Sequence, residues 1–202
     1  MRNVIVSRVI NRRNILLYFC IIFSSFLSAQ KVAVKTNALY WATLTPNVAL
    51  EVALGDQFTT DWHFLYNPWT FSENRKMKLM AAQPEFRYWF CERFNGHFIG
   101  MHLLGGIYNI GNIDADFKLL GADFGMLKDH RYEGWMVGAG VGYGYQWILS
   151  KHWSIEAEIG LGYIYTRSDK FECTTCGDKL EENVPHHYGG PTKFALNVMY
   201  VF

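Results

Sequence analysis

The sequence carries little charge and no surplus of either sign. Asp, Glu, Lys and Arg make up 18% of its 202 residues, and 19 basic residues nearly cancel 18 acidic ones. With no basic stripe, nucleic acid is not an expected partner. Phosphate-cradling and hydrolase signatures are missing too. The glycine run at 138–144 puts Tyr143 where G-x-G-x-x-G needs its third glycine, and no G-x-S-x-G elbow occurs. Asp114, Asp116 and Asp123 do not make a calcium loop, because Lys118 stands at a ligand position and no Glu closes it. Beyond the N-terminal region no segment makes a convincing membrane helix. What is abundant is apolar and aromatic: 50% hydrophobic residues, with 7 Trp, 12 Tyr, 15 Phe and 18 Gly. That content excludes disorder and is unusual for a core surrounded by water.

The N-terminal region has the layout of a secretory leader. Arg2, Arg8, Arg12 and Arg13 precede the apolar run from Ile15 to Leu27, and Ser28-Ala29 supplies small residues for cleavage. The expected domains are a signal peptide over 1–29 and a mature barrel over 30–202. Losing four arginines and no acid shifts the net charge from +1 to −3. Cys20 lacks the small residues that precede a lipidation site.

Period-two alternation runs through the rest of the chain. Phe58, Thr60, Trp62, Phe64 and Tyr66 alternate with Thr59, Asp61, His63 and Leu65. Trp153, Ile155, Ala157, Ile159 and Leu161 alternate with Ser154, Glu156, Glu158 and Gly160. In the stretch from Trp135 to Trp147, Gly138, Gly140, Gly142 and Gly144 all fall on one face, which a strand permits and a helix does not. Similar alternation marks Val48–Leu54, Glu85–Phe90 and Lys193–Phe202, while Lys31–Trp41 and His97–Ile110 are less regular. Eight strands are expected. Tight connections at 55–57, 92–96 and 149–151 alternate with longer ones, among them 70–79, 111–133 and 167–191. This predicts an all-β fold, an eight-stranded antiparallel transmembrane β-barrel with short periplasmic turns and longer external loops.

The sidedness follows from energetics. A charge facing lipid near the midplane costs roughly 2–4 kcal/mol, and the large apolar rows of the regular strands contain none. Those rows are read as facing lipid, with Tyr and Trp near strand ends at the interface. The last outward row ends on Phe202, an aromatic position that fits the outer-membrane assembly machinery as a partner during folding. Pro84, Pro46 and Pro68 are expected together at the external rim, since proline cannot donate to a ladder.

Several stretches resemble a known family: Lys35-Thr36-Asn37 with Tyr40-Trp41-Ala42-Thr43, Tyr66-Asn67-Pro68-Trp69-Thr70-Phe71, Gln83-Pro84-Glu85 with Arg87-Tyr88-Trp89, Phe94-Asn95-Gly96-His97-Phe98, Lys128 to Trp135, and Tyr145 to Lys151. The chain resembles the domain of unknown function 3575 family of small Bacteroidetes outer-membrane β-barrels. The resemblance implies fold and location but no catalytic residues. Because members are often encoded beside fimbrial genes, it also implies a link to surface-fibre biogenesis.

Three groups of residues are candidates for chemistry. The inner rows collect Lys35, Glu51, Asp61, His63, Glu85, Arg87, His102, Glu156, Glu158 and Lys193. Eight strands leave room only for side chains, so these charges are read as a paired polar plug, with a proton or ion path as the alternative. Cys173 and Cys176, followed by His186 and His187, are read as a disulfide, a zinc site or free thiols. Cys91 is the odd cysteine. Phe117, Leu119, Leu120, Phe124, Met126 and Leu127 form either a cap over the barrel mouth or a partner-binding patch.

The functional expectation is a non-enzymatic outer-membrane scaffold whose external loops bind a surface or fimbrial protein or support surface-structure biogenesis. The alternative is a lipid-modifying enzyme, for which Ser168 with His186 or His187 is the loose candidate. No cofactor is expected.

Overall fold

Alternating side chains bury one face of each strand, and eight such strands close into a ring with no open edge. The computed structural model describes residues 31–70, 76–111, 118–119, 122–123, 130–172 and 177–202. Its elements are β1 (Val32–Asn37), α1 (Ala38–Ala42), β2 (Asn47–Ala53), β3 (Phe58–Asn67), β4 (Lys76–Trp89), β5 (Gly96–Gly111), β6 (Lys118–Leu119), β7 (Ala122–Asp123), β8 (Arg131–Ile148), β9 (Trp153–Phe171) and β10 (Lys179–Val201). The ring order is β1-β10-β9-β8-β5-β4-β3-β2, antiparallel throughout, and β6 and β7 pair only with each other. The fold is all-β with eight antiparallel strands in a ring.

Both ends of the barrel chain, Val32 and Phe202, lie on the side of the tight turns: the Phe202 N–H donates to the Val32 carbonyl at 2.9 Å. Gly96 makes one of these turns possible with φ +77°, a conformation that glycine adopts without strain.

Three details differ from the reading of the sequence. The first strand stops at Asn37 instead of running to Trp41, because the Asn37 side chain caps α1 by accepting the Leu39 N–H at 3.0 Å. The expected loop over 167–191 is mostly ladder: β9 and β10 stay paired out to Phe171 and Lys179, leaving 172–178 as the connection. Likewise β4 starts at Lys76, inside the expected 70–79 connection.

Pro84 is not at the rim. It pairs with Trp62 in the middle of β3 and β4, and the β4–β5 ladder resumes on both sides of it, at Ala82↔Gly105 and Glu85↔His102. Its missing N–H opens a short gap on the β5 side alone. Pro46 and Pro68 lie at the other level, beside Tyr66 and after Asn67.

Candidate functional site

The inner rows fill the barrel in three layers. At the tight-turn end Trp89, Phe94, Phe98 and Met199 pack with Ala33 and Ala53 into an apolar plug. The Trp89 indole N–H donates to Thr59 Oγ1 at 3.0 Å, and the Arg87 guanidinium lies 4.4 Å above the Phe98 ring. These contacts tie the plug to the layer above.

That middle layer is ionic. Lys35 Nζ sits 2.7 Å from Glu51, 3.0 Å from Asp61 and 3.5 Å from Glu156. Arg87 reaches five carboxylates: Glu51 at 3.1 Å, Asp61 at 3.2 Å, Glu85 at 3.1 Å, Glu156 at 2.7 Å and Glu158 at 2.7 Å. Lys193 pairs with Glu85, and with Glu158 at 3.0 Å. Thr59 donates to Glu51, and Asn197 donates to Glu156 Oε1 at 2.7 Å. Charges taken out of water are expensive singly, and here each carboxylate faces at least one cation. His63 stands apart from the ion pairs, with Nε2 3.1 Å from Asn47 Oδ1. His102 Nε2 lies 2.8 Å from Thr192 Oγ1.

The upper layer is neutral and polar. Asn37 and Asn47 clasp β1 to β2 by reciprocal bonds: the Asn37 N–H donates to Asn47 Oδ1 at 2.7 Å and Asn47 Nδ2 donates to the Asn37 carbonyl at 3.1 Å. Asn67 Nδ2 donates to Thr45 Oγ1 at 2.8 Å. Gln83 Nε2 donates to the Thr192 carbonyl at 3.4 Å.

All ten of the ionisable inner-row residues named from the sequence are therefore inside the ring, each at most 5% exposed. Thr59, Asn37, Asn47, Asn67 and Thr192 complete the network and were not singled out. The signal for Thr59 was its place in the same inner row as Asp61 and His63.

Outside, the wall is apolar. Met101 is 67% exposed, Val141 62% and Leu161 56%, values that place these side chains wholly on the surface. Aromatic rings gather in two belts. Phe58, Tyr88, Phe90, Tyr145, Trp147, Trp153 and Tyr200 contact one another or His97 near the tight turns. At the other end are Trp41, Tyr66, Trp69, Trp135 and Tyr165, with Trp69 Nε1 donating to the Leu44 carbonyl at 2.8 Å.

Beyond the upper belt β9 and β10 continue as a hairpin, with β8 still laddered to β9 out to Arg131↔Phe171. Asn183 takes φ 58° at an irregularity in the ladder, where its N–H donates to Asp169 Oδ1 at 2.7 Å. Asparagine is among the few residues that tolerate this region. Lys179 Nζ lies 2.8 Å from Asp169 Oδ2. The Lys179 hydrogen bond, then the Asn183 N–H, hold the Asp169 carboxyl below its usual value, and the same bond raises the Lys179 ammonium.

Ser168 pairs with Val184 in this ladder, and among the described residues no hydrogen bond joins it to His186 or His187. His187 Nδ1 is bonded to the Tyr163 hydroxyl instead. Cys173 and Cys176 lie outside the described residues, as do Phe117, Leu120, Phe124, Met126 and Leu127; Leu119 is placed by its backbone only, opposite Ala122. Cys91 is free and exposed.

Residues 15–202 match the family described as protein of unknown function (DUF3575). The chain belongs to this family. No curated protein and no solved structure matches it. The DUF3575 description names no activity, so any functional reading of this chain rests on its own geometry. Among the described residues no helix is long and apolar enough to cross a membrane.

Proposed function

We propose that this DUF3575 chain is an outer-membrane β-barrel that works as a non-enzymatic scaffold. Its projecting β9–β10 hairpin and neighbouring connections serve as the binding surface for a surface or fimbrial protein. The observation that carries this reading is the inverted sidedness of the wall. Every Asp, Glu, Lys and Arg between the two aromatic belts points inward, while the outward rows carry Val, Leu, Ile, Met, Phe and Trp. Water reverses that order and lipid requires it.

The dimensions agree. From Trp153 to Tyr163 the outward row of β9 runs eleven residues, which at about 3.3 Å per residue and a tilt of about 40° spans roughly 28 Å. That is close to the hydrocarbon thickness of a bilayer. A leader cleaved after Ala29 delivers the chain to that membrane. The scaffold role is supported by the filled interior, where among the described residues an ionic layer lies over an apolar plug and leaves the rim as the face open to partners.

The test is fractionation of cells expressing the full chain. The expected result is processed protein that stays in the membrane pellet at alkaline pH and migrates faster before boiling than after. A protease added to intact cells cuts within residues 172–182 and spares 92–96. Release of the chain into the alkaline supernatant overturns the membrane reading. Cleavage at 92–96 with protection at 172–182 overturns the assignment of the outer rim.

A further inference from the structure

Gly138, Gly140, Gly142 and Gly144 on the inward row of β8 have no part in a scaffold as such, yet a Cβ on any of them would collide with a neighbour. On Gly140 it would lie 2.6 Å from His102 Nε2, and on Gly142 2.6 Å from Glu158 Oε1. Two glycines on the flanking strands do the same: Gly160 clears the His102 ring, with Cε1 at 2.8 Å, and Gly100 clears Glu85 Oε1. Four missing side chains on three strands thus open space around three residues, Glu85, His102 and Glu158.

Those three already meet. One ligand atom from each lies within 4.8 Å of the others, and all three residues are buried. Each spends one polar atom on the barrel and leaves one without a partner. Glu85 Oε2 takes Arg87 and Lys193, Glu158 Oε2 takes Arg87 at 2.7 Å, and His102 Nε2 takes Thr192. Glu85 Oε1, Glu158 Oε1 and His102 Nδ1 have no hydrogen-bond partner. Buried acceptors left in this state are costly, and three at one place call for something to fill them.

Charge points the same way. Lys35, Arg87 and Lys193 oppose Glu51, Asp61, Glu85, Glu156 and Glu158, three cationic side chains against five carboxyl groups. The histidines do not cancel the difference: a protonated ring has two N–H donors to satisfy, and Nδ1 of both His63 and His102 has no acceptor. A divalent cation balances the two carboxyl groups in excess, as protons would in its place.

We propose that Glu85, His102 and Glu158 form a buried site for a first-row divalent metal ion, of which zinc is the type the ligands suit best. Zinc accepts both imidazole nitrogen and carboxylate oxygen, whereas magnesium and calcium favour oxygen alone. Thr192, bonded to the other ring nitrogen of His102, fixes the ring as an outer partner does in metal sites. The ion sits between β4, β5 and β9 and adds to the Arg87 bonds that already join β4 to β9 across the lumen.

The full processed chain, refolded in detergent micelles with zinc chloride and passed over a chelator, is the material for the test. One zinc per chain is expected, with an absorption-edge spectrum showing oxygen and nitrogen ligands, one imidazole and no sulfur. In His102→Gln and Glu158→Gln the affinity falls at least about 10–100-fold, since loss of outer partners alone does this much. The double variant His186→Ala/His187→Ala, which alters only exposed residues, keeps its zinc. Wild-type protein that retains no zinc overturns the proposal, leaving Glu85 and Glu158 to share a proton instead. Sulfur ligands, or loss of zinc in the His186/His187 variant, overturn it by moving the metal to the hairpin.

Discussion

Arg87 Nη1 donates to Glu156 Oε2 at 2.7 Å, a bond between β4 and β9, strands separated in the ring by β5 and β8. It crosses the lumen instead of following the wall. A barrel this narrow has its opposite sides within one side chain's reach, so ionic contacts act as struts that ladder hydrogen bonds cannot replace.

Arg87 is therefore expected to be the least replaceable of the inner residues. Arg87→Ala leaves five carboxylates facing two lysines and should lose about 3–5 kcal/mol of stability. Arg87→Lys should restore little of it, because Arg87 spreads its bonds over two nitrogens, Nη1 to Glu51 and Glu156 and Nη2 to Glu85 and Glu158, a span that a single ammonium nitrogen does not cover. Urea unfolding from lipid vesicles measures both. A variant Arg87→Lys as stable as wild type contradicts the strut role.

A second expectation concerns the plug. Gly144 faces Phe98 so closely that an added Cβ would overlap the ring. Phe98 in turn packs on Trp89 at 4.7 Å between ring centroids. Gly144→Val should cost about 1–3 kcal/mol as an overpacking defect, measured by the same unfolding assay. Gly144→Val together with Phe98→Ala should recover much of that loss, and additive losses would show that the two residues do not share the space.

The hairpin tip gives a dependence on pH. Asp169 has a depressed pKa in the folded chain, so its bonds to Lys179 and Asn183 are fully formed above the ordinary aspartate value of 3.8 and are lost as pH falls through the lower folded value. Lys179 is raised, so its share is complete below its ordinary 10.5 and disappears only above it. Protection of the Asn183 N–H from exchange, corrected for its intrinsic rate, should be flat across neutral pH and drop only in strong acid. Asp169→Asn should remove the acid step. A step near neutrality would contradict the assignment.

The closed interior predicts no steady single-channel current from purified protein in planar bilayers. Trp89, Phe98 and Met199 are fully buried across the tight-turn end, and the ionic layer lies directly above them. Persistent unitary currents in wild type would mean that this filling is not maintained in lipid.

Much of the barrel was legible from alternation alone, because a half-buried strand repeats its environment every second residue. Asp61, His63, Glu156 and Glu158 could be put on one side of the wall that way. Three features could not. The extension of β9 and β10 has water on both faces, so Arg167 to Pro191 shows no apolar period to read. Pro84 breaks only one of its two ladders, a possibility that a rule against proline inside sheets does not distinguish. The meeting of His102 with Glu85 and Glu158 depends on register between three strands, and of the four glycines that make room for them only Gly140 and Gly142 stand together in the sequence, inside a small-residue stripe.

The central claim, that the apolar outer wall faces lipid, is tested most directly by placing an arginine at successive outward positions of β9. Trp153, Ile155, Ala157, Ile159, Leu161, Tyr163 and Tyr165 are replaced one at a time, and unfolding from vesicles is measured for each. The predicted cost peaks at roughly 2–4 kcal/mol near Ile159 and falls to roughly 0–1 kcal/mol at Trp153 and Tyr165. A flat profile, with arginine tolerated at Ile159 as well as at the ends, would contradict it.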